Sequence, residues 1–354
     1  MKTKYKIIVT ALLLIFSATV TAFSQEEKSG APEKKEFNAS EFILEHVTDS
    51  HEWHILTLKD GENIALYLPV ILYTKEKGFS LFSSKRIAEG RIYNGFKLEE
   101  EGDLKGKIVC VNENNEADEK NLPFDFSITK TVFAMMCAAL LGLIIFISMA
   151  RSYKKTGVSA PKGIQSLLEP VILFVRDDIA IPNIGHHKYE KYMPYLLTAF
   201  FFILMNNLMG LIPFPPPFGG NVTGNINVTF VLAFCTFLIT QFSGNKNYWR
   251  HIFATPGVPV WLLPVMIPVE LMGIVSKPFA LMIRLFANIT AGHIIVLSLV
   301  CLIFVFQSVA VAPVSIIFVI FMDCLELLVA FLQAYVFTLL SALFISLAVQ
   351  EEHH

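Results

Sequence analysis

The feature that most constrains the fold of this chain is a series of long apolar runs that begins near residue 130. Three runs are close to the about 20 residues that a membrane-spanning helix needs: Thr131 to Ala150, Tyr192 to Pro213 and Ile226 to Phe242. Two more, Pro278 to Phe306 and Val314 to Val349, have 29 and 36 residues and would form helices of about 43 and 54 Å. A tilt of about 20° does not fit such lengths into a hydrocarbon core of about 30 Å. We therefore expect either broken helices or a long, steeply tilted C-terminal hairpin.

The composition is that of an integral membrane protein. Of the 354 residues, 54% are hydrophobic and only 16% are charged, whereas about a quarter are charged in soluble domains. No basic stripe marks a surface for nucleic acid, so we predict no nucleic-acid partner. The predicted fold is an all-α membrane protein with about five crossings of the lipid bilayer. Val258 to Val275, which contains three prolines, is interpreted as a broken arm that leads into the last pair of helices.

The first residues resemble a secretory signal peptide. A basic start is followed by the apolar stretch 7–16 and by small residues suited to cleavage: Lys2, Lys4, Lys6, Ala18, Ala22 and Ser24. An uncleaved first membrane helix is the alternative, which the short apolar stretch disfavours. We therefore predict a signal peptide over 1–24, an exported polar domain over 25–125 and a membrane domain over 126–354.

The charges of the short loops predict the orientation. Loops 151–191 and 243–256 are basic, whereas 214–225 contains no Lys or Arg. The positive-inside rule then places the basic loops in the cytoplasm and the uncharged loop outside. The polar domain is accordingly predicted to be periplasmic and residues 351–354 cytoplasmic, in the inner membrane of a bacterium.

The polar domain carries weaker signals. Residues 63–73 are typical of a strand, and 78–82 of its partner, so a small α+β domain is expected. Three histidines lie near Glu52, but no two have i, i+4 spacing, and we favour solvated histidines over a metal site: His46, His51 and His54. The sequence contains no phosphate-binding loop and no serine-hydrolase or zinc-protease motif. We predict no catalytic residue, no metal and no cofactor.

A permanent charge interrupts the fourth apolar run. Arg284 keeps its proton in proteins, and an arginine at mid-membrane costs about 2.5–3.5 kcal/mol on insertion scales. Glu270, Lys277 and Arg284 are spaced by seven, and Asn288 follows at i+4. These four share one helix face, provided that the helix continues through Pro278.

Further polar residues fall on other faces. His293 lies about 180° around the helix from Arg284, and Asp323, Glu326 and Gln333 share a face of the last run. Two interpretations of Arg284 stay open: part of an ion pathway, or a structural salt bridge to Glu326 or Asp323. His293 is either a packing histidine or one member of a titratable pair with Glu326. Lys277 is either functional or extends its ammonium group to the membrane interface.

Three segments carry a resemblance to a known family. Ser276-Lys-Pro-Phe-Ala-Leu-Met-Ile-Arg-Leu-Phe-Ala-Asn-Ile-Thr-Ala-Gly-His resembles the most characteristic segment of subunit a of F-type ATP synthases. Met205-Asn-Asn-Leu-Met-Gly-Leu-Ile-Pro213 and Phe331-Leu-Gln-Ala-Tyr-Val-Phe337 are similar to its earlier and last membrane motifs. The resemblance covers roughly 130–352, in order and with matching spacing.

The resemblance implies a proton-conducting stator beside a rotating ring, without a catalytic site of its own. It assigns the essential arginine to Arg284, and a proton path to residues on both sides of it: Asn207, Glu270, Ser276, Asn288, His293, Glu326 and Gln333. The implied partners are the rotor c-ring, the peripheral-stalk b subunits and the remaining synthase subunits. The transported ion is expected to be H+, and Na+ stays open because the rotor supplies most of the ion's ligands.

Two positions depart from the family pattern. His293 and Glu326 stand where the family usually has an acid and often a histidine, so the two chemical types are exchanged. Gly210 stands where the family can carry an acid, which weakens any channel role for that position. The alternative function is a secondary transporter or ion channel that uses Arg284 as an anion or counter-ion site, although the internal repeats typical of transporters are absent from the sequence.

Overall fold

A computed structural model describes most of the chain between residues 38 and 350. The described ranges are 38–57, 63–75, 77–99, 102, 104–111, 122–156, 163–212, 215–253, 259–306 and 311–350. The predicted signal peptide, 1–24, and the C-terminal residues 351–354 lie outside them, so those predictions stay predictions.

The N-terminal polar domain, from here on the head, combines one helix with short strands. Its elements are α1 Ala39–Val47, β1 Glu52–Thr57, β2 Asn63–Tyr67, β3 Pro69–Thr74, β4 Gly78–Ser83, β5 Phe96–Leu98, β6 Ile108–Cys110 and β7 Phe124–Asp125. All pairings are antiparallel: β1 with β2, β5 with β6, and β3 between β4 and β7. The strand predicted over 63–73 is therefore two strands separated at Leu68, and only β3 pairs with the segment that begins at Gly78.

The head has its own small core because its strands alternate in burial. Val70, Leu72 and Phe82 point to one side of the three-stranded sheet and pack with Ile87, Phe96 and Ile108. The opposite side of β4 is open, since Phe79 and Leu81 are 76% and 73% exposed.

Of the three head histidines, His51 has a carboxylate partner far away in sequence. Its Nε2 donates to Asp125 Oδ2 over 2.9 Å. Burial opposes ionisation of the Asp125 carboxyl, but hydrogen bonds from His51 and Ser127 outweigh burial and lower its pKa below the usual 3.8. Within the described residues, no three His, Cys, Asp or Glu side chains gather as metal ligands.

After the head, the described part of the chain is mainly helical. Its helices are α2 Lys130–Thr156, α3 Ile164–Phe174, α4 Ile181–Ile184, α5 Tyr189–Leu211, α6 Ile226–Phe242, α7 Lys246–Phe253, α8 Leu263–Phe306 and α9 Ala312–Val349. A π-helical stretch, Val175–Ala180, joins α3 to α4, in a region to which the sequence analysis assigns no element. Helices α2, α5, α8 and α9 are each long and apolar enough to cross a membrane. The pair α6 and α7, bent by 101°, is a fifth candidate if it counts as one span. The predicted all-α membrane body with a small strand-bearing head is confirmed.

The last two helices are longer than predicted. Helix α8 has 44 residues and α9 has 38, which corresponds to about 66 and 57 Å. The prediction of a broken arm over 258–275 is wrong from Leu263 onward, because α8 continues through Pro268 and Pro278. Each proline removes one backbone donor, a loss that membrane helices tolerate when local adjustments and neighbouring groups satisfy the freed carbonyl. The steep tilt of this hairpin stays a prediction.

The core of the membrane body fixes how α8 is rotated. Leu281, Leu285 and Ile289 follow each other at i, i+4 and i+8, and all three are buried in the main core. They pack among residues of α5 and α9 that include Leu196, Phe200, Ala334 and Phe337. Since this stripe points inward, the opposite side of α8 points away from the body.

Polar contacts between helices supplement this packing. Thr236 on α6 and Ser341 on α9 have their hydroxyl oxygens 3.2 Å apart, and Tyr195 on α5 bonds the same threonine. Ser341 and its neighbour Ala342 are fully buried, so small side chains let the helices approach closely.

Candidate functional site

The outward side of α8 carries the predicted polar stripe. Because the helix is continuous, the seven-residue steps from Glu270 through Lys277 to Arg284 stay on one face. We call the exposed part of this face around the arginine the open face; it consists of Lys277, Ala280, Arg284, Ala287, Asn288 and Ala291. Glu270, at the start of the stripe, is half-buried.

Arg284 has no counter-ion in the part of the chain that the structure describes. The salt bridge to Glu326 or Asp323, one of its two interpretations, is absent there, since Glu326 is buried and approaches His293 instead. On the open face, Ala280 and Ala287 lie one turn before and one turn after Arg284, and their small side chains leave space for another helix to come close. The permanent charge is therefore exposed and has no ion-pair partner among the described residues.

On the side of α8 opposite Arg284, His293 faces a buried carboxyl group of α9. His293 Nδ1 and Glu326 Oε1 are 3.6 Å apart, and Glu326 is only 8% exposed. This separation is within ion-pair range but slightly longer than a hydrogen bond, so a small side-chain movement would allow proton exchange. The structure thus brings together His293 and Glu326, for which a titratable pair is one of the two predicted alternatives.

Two glycines make space for this pair. A Cβ built on Gly292 would lie 3.1 Å from Glu326 Oε1, so the carboxyl group lies directly against the backbone of α8. A Cβ built on Gly210, on α5, would lie 3.6 Å from His293 Nε2. Gly210 contributes no polar side chain, but the absence of one leaves room for the imidazole.

Asn207, on α5, is hydrogen-bonded both to α9 near Glu326 and to the loop that follows α5. Its Nδ2 donates to the carbonyl of Ala330, 3.2 Å away and one turn after Glu326, and its Oδ1 accepts from Thr223. Gln333 lies on the same side of α9 and is 3% exposed. These side chains, with His293 and Glu326, are from here on the enclosed polar set: Asn207, His293, Glu326 and Gln333.

The loop between α5 and α6 closes over this set. We call residues 219–224 the cap loop. Its first amide, Gly219 N, donates to Met209 O over 2.9 Å, and the carbonyl of Gly224 accepts from Thr290 over 3.4 Å. Because these contacts join α5 and α8, the cap loop covers the end of the enclosed polar set formed by Asn207 and His293.

Glu270 and Ser276 lie toward the other end of α8. Ser276 is exposed, and its hydroxyl donates to Gly273 O within the helix. By helical rise, Arg284 is about 21 Å from Glu270 and about 14 Å from His293 along the axis. Along the helix axis, Arg284 therefore lies between the polar region around Glu270 and Ser276 and the polar region around His293.

Two residues that support the site were not predicted from the sequence: Thr223 in the cap loop and Gly292 in α8. Thr223 occurs in a segment without charges, and its role depends on a partner 16 residues away. Gly292 lies next to the predicted His293, and a glycine inside an apolar helix was the available signal, since such positions often allow a close approach.

Both the membrane body and the head are similar to known protein families. A family model described as ATP synthase A chain matches residues 132–346, and one described as Domain of unknown function (DUF8433) matches residues 42–126. An ATP synthase subunit a from Chloroherpeton thalassium is 50% identical over 237 residues, which are 65% of this chain and 69% of that protein. An ATP synthase subunit a 2 from Chlorobaculum tepidum is 53% identical over 232 residues, 64% of each chain. An ATP synthase subunit a from Myxococcus xanthus is 47% identical over 237 residues, 65% of this chain and 75% of that protein.

Proposed function

Because this chain belongs to the ATP synthase A chain family and is a proton-conducting subunit of that synthase, we propose that Arg284 is its stator charge. In this role a fixed cation faces a rotor ring that carries one carboxyl group per hairpin. The observation that carries the proposal is the exposed guanidinium on the open face, which is flanked by Ala280 and Ala287 and has no ion-pair partner in the described ranges. A permanent charge in a membrane-spanning helix is costly unless it meets protein or water, so its exposed position supports a partner beyond the described residues.

The chemistry of the guanidinium fits this role. A nearby positive charge favours the ionised form of a carboxyl group, so each rotor acid loses its proton as it reaches Arg284. Since arginine stays protonated, it does not itself relay the proton. The charge also repels protons, which prevents a direct leak along α8 from one polar region to the other.

The enclosed polar set is proposed as the outer half-channel. His293 and Glu326 are two titratable groups 3.6 Å apart, and Asn207 and Gln333 continue the polar lining along α5 and α9. A proton that enters beside the cap loop passes over this set to the next rotor carboxylate. Once neutralised, that carboxyl group turns into the lipid, where a charged one would be costly.

The region around Glu270 and Ser276 is proposed as the inner half-channel. After nearly a full turn of the ring, the rotor acid releases its proton there. Asn288, one turn after the arginine on the open face, is proposed to contact the rotor as well. Each elementary charge that crosses 100 mV supplies about 2.3 kcal/mol, which drives the rotation.

The chain partners other ATP synthase subunits, and the finer arrangement is proposed from its sequence. The open face meets the c-ring, and the peripheral-stalk b subunits hold the body in place. The head is proposed to be periplasmic and the C-terminus cytoplasmic, in a bacterial inner membrane. The contacts between the head and the cap loop support a common side for the two, because the cap loop follows α5 in the uncharged region 214–225. The alternative of a secondary transporter or channel is not favoured by the family match.

ATP-driven acidification of inverted membrane vesicles tests the proposal. Arg284→Ala is expected to abolish acidification, although the complex assembles and hydrolyses ATP. The matched control is Lys277→Ala, which removes another exposed cation from the same face; Lys277 lies over the ring of Phe344 and is expected to tolerate substitution. Normal acidification by Arg284→Ala at wild-type abundance would refute the role of this charge.

A further inference from the structure

We propose that the head positions the outer mouth of the proton path, with Trp53 holding the cap loop in place against Asn207 and His293. This inference rests on the proposed function, because it assigns the enclosed polar set to the outer half-channel. It gives the head a task in proton conduction, and Trp53 is a positioning residue that does not itself touch the proton path.

The first contact in this chain joins the head to the cap loop. Trp53, on β1, is 7% exposed and clusters with Ala134 of α2 and Val222 of the cap loop. A Cβ built on Gly220 would lie 3.3 Å from Trp53 Cη2 and 2.7 Å from the Ala134 Cβ. The backbone of the cap loop therefore lies directly against the indole ring, at a place where only glycine fits.

The second contact joins the same glycine to the histidine. The carbonyl oxygen of Gly220 would be 3.2 Å from a Cβ built on Gly210, and that Cβ would be 3.6 Å from His293 Nε2. A single stretch of loop backbone thus separates the indole of the head from the space that the imidazole occupies. A displacement of Gly220 changes the room available to His293.

The third contact joins the cap loop to the side-chain amide of Asn207 on α5. Thr223 donates to Asn207 Oδ1, and Asn207 in turn donates to Ala330 O. Both asparagine and threonine are buried, so neither can replace its partner with bulk water at no cost. Movement of the cap loop would therefore also disturb Asn207, whose partner Ala330 lies one turn after Glu326 on α9.

Hydrogen bonds attach the head to the membrane body close to Trp53. The carbonyl of Ser50 accepts from Lys130 N over 2.8 Å, and the Asp49 carboxylate accepts from Thr131 N over 3.0 Å. The Lys130 ammonium donates to the carbonyls of His46 and Thr48. These bonds attach the segment just before β1 to the first turn of α2. Helix α1 also packs on α8, so the head is held by the same helix that carries His293.

The contacts account for an otherwise unexplained feature of the molecule. A large aromatic side chain from a polar domain is buried against a membrane-body loop and not in the head's own core, which lies elsewhere around Phe82 and Phe96. A domain that served only as an attachment would not need to seat an indole over the outer end of the enclosed polar set.

The test uses inverted vesicles that contain the assembled ATP synthase. Its catalytic portion is then stripped from the membrane, and passive proton conduction through the remaining membrane part is measured. Trp53→Ala is expected to lower conduction by about tenfold, because small displacements of a proton-transfer group have large effects on rate. It should also change how conduction depends on the pH of the lumen. That pH acts on His293, on Glu326, which faces it from α9, and on Asp323, which lies one turn before Glu326 on the same helix. Trp53→Phe should restore most of the conduction, since it keeps an aromatic ring against Gly220.

Two controls separate a positioning role from general damage to the head. Phe79→Ala removes an aromatic side chain that is 76% exposed on the same domain and should conduct as wild type. Phe82→Ala weakens the head core, and its effect on conduction should be smaller than that of Trp53→Ala at equal abundance of the complex.

The inference is overturned if assembled Trp53→Ala complexes conduct like wild type with the same pH profile. Should Trp53→Ala fail to assemble, Trp53→Phe and Gly220→Ala decide, and wild-type conduction by the Gly220→Ala complex would overturn it. The outcome is independent of Arg284→Ala, so a failure of this inference is distinguishable from a failure of the proposed function.

Discussion

The open face and the enclosed polar set lie on opposite sides of α8 and handle charge in opposite ways. Arg284 and His293 are only nine residues apart, yet the first is exposed and unpaired within the described chain and the second is half-buried beside a carboxyl group. The open face presents a charge that does not change. The enclosed set contains groups that are able to gain and lose a proton, and it gives them partners.

This difference follows from the chemistry of the side chains. A guanidinium cannot become neutral, so its burial without a counter-ion would be costly, and it lies on an exposed face where, under the proposed function, a rotor carboxylate supplies one. Histidine and glutamate can become neutral, so they can be enclosed and still exchange protons. Under the proposed function, the open face couples proton flow to rotation and the enclosed polar set conducts protons, and each of the following changes tests that division.

The largest effect is expected when the kind of cation on the open face changes. Arg284→Lys should reduce ATP-driven acidification to background, because an ammonium is compact, more strongly hydrated and lacks the planar fork of the guanidinium. Acidification in inverted vesicles measures this, with Lys277→Arg as the reverse exchange on the same face. Coupled pumping near the wild-type rate with lysine would show that a positive charge alone is enough.

An exchange within the enclosed polar set should have the next largest effect. His293→Ala or Glu326→Gln is expected to slow passive proton conduction by about tenfold or more, since each removes one group of a proton-transfer pair. His293→Glu combined with Glu326→His should recover part of that loss. Absence of any recovery in assembled complexes would argue against a functional pair. Asp323→Asn, one turn from Glu326, is the control for a general effect of removing a carboxyl group.

A methyl group placed against Glu326 should have a moderate effect. Gly292→Ala adds a Cβ 3.1 Å from Glu326 Oε1, which forces the carboxyl group to shift by a few tenths of an ångström. Conduction should fall several-fold, less than the about 100-fold that a displacement of 1 Å can cost. Gly273→Ala is the matched control on the same helix, because nothing lies within 4 Å of its added Cβ. Equal conduction by the two variants would mean that the carboxyl position is unimportant.

The smallest effect is expected from the pair of His51 and Asp125 in the head, at acid pH. Because the folded state lowers the pKa of Asp125 below 3.8, the stabilisation from its ionised form is present above that value. It is lost as the pH falls below 3.8 through the folded pKa, so amide exchange in β7 should speed up there. His51→Ala should remove part of this pH dependence, measured by hydrogen exchange on the intact protein at matched pH. If His51→Ala leaves the pH dependence of amide exchange in β7 unchanged, the pair of His51 and Asp125 does not hold β7 in place.

The helices were predictable because apolar runs determine where a chain can cross lipid. The run from Ile226 to Phe242 coincides with α6. The rotation of α8 follows from its periodicity, which places Arg284 and His293 on opposite sides. The continuity of α8 through Pro278 was not predictable from residue type, because whether a proline breaks a helix depends on the groups around it.

The supports of the site were harder to predict because they depend on the path of the loops. Thr223 reaches Asn207 only through the closure of the cap loop, and His51 reaches Asp125 across 74 positions of sequence. Neither pair follows a periodic pattern. The contact of Trp53 with Gly220 is similar, since no local rule joins a strand of one domain to a loop of another.

The most direct test of the division between coupling and conduction is to measure both on the same Arg284→Ala vesicles. ATP-driven acidification should be lost, whereas passive proton conduction through the stripped membrane should persist, because the enclosed polar set is intact and the repelling charge is gone. Acidification at the wild-type rate in fully assembled complexes would contradict the account, since the arginine would then not be the charge that couples proton flow to rotation.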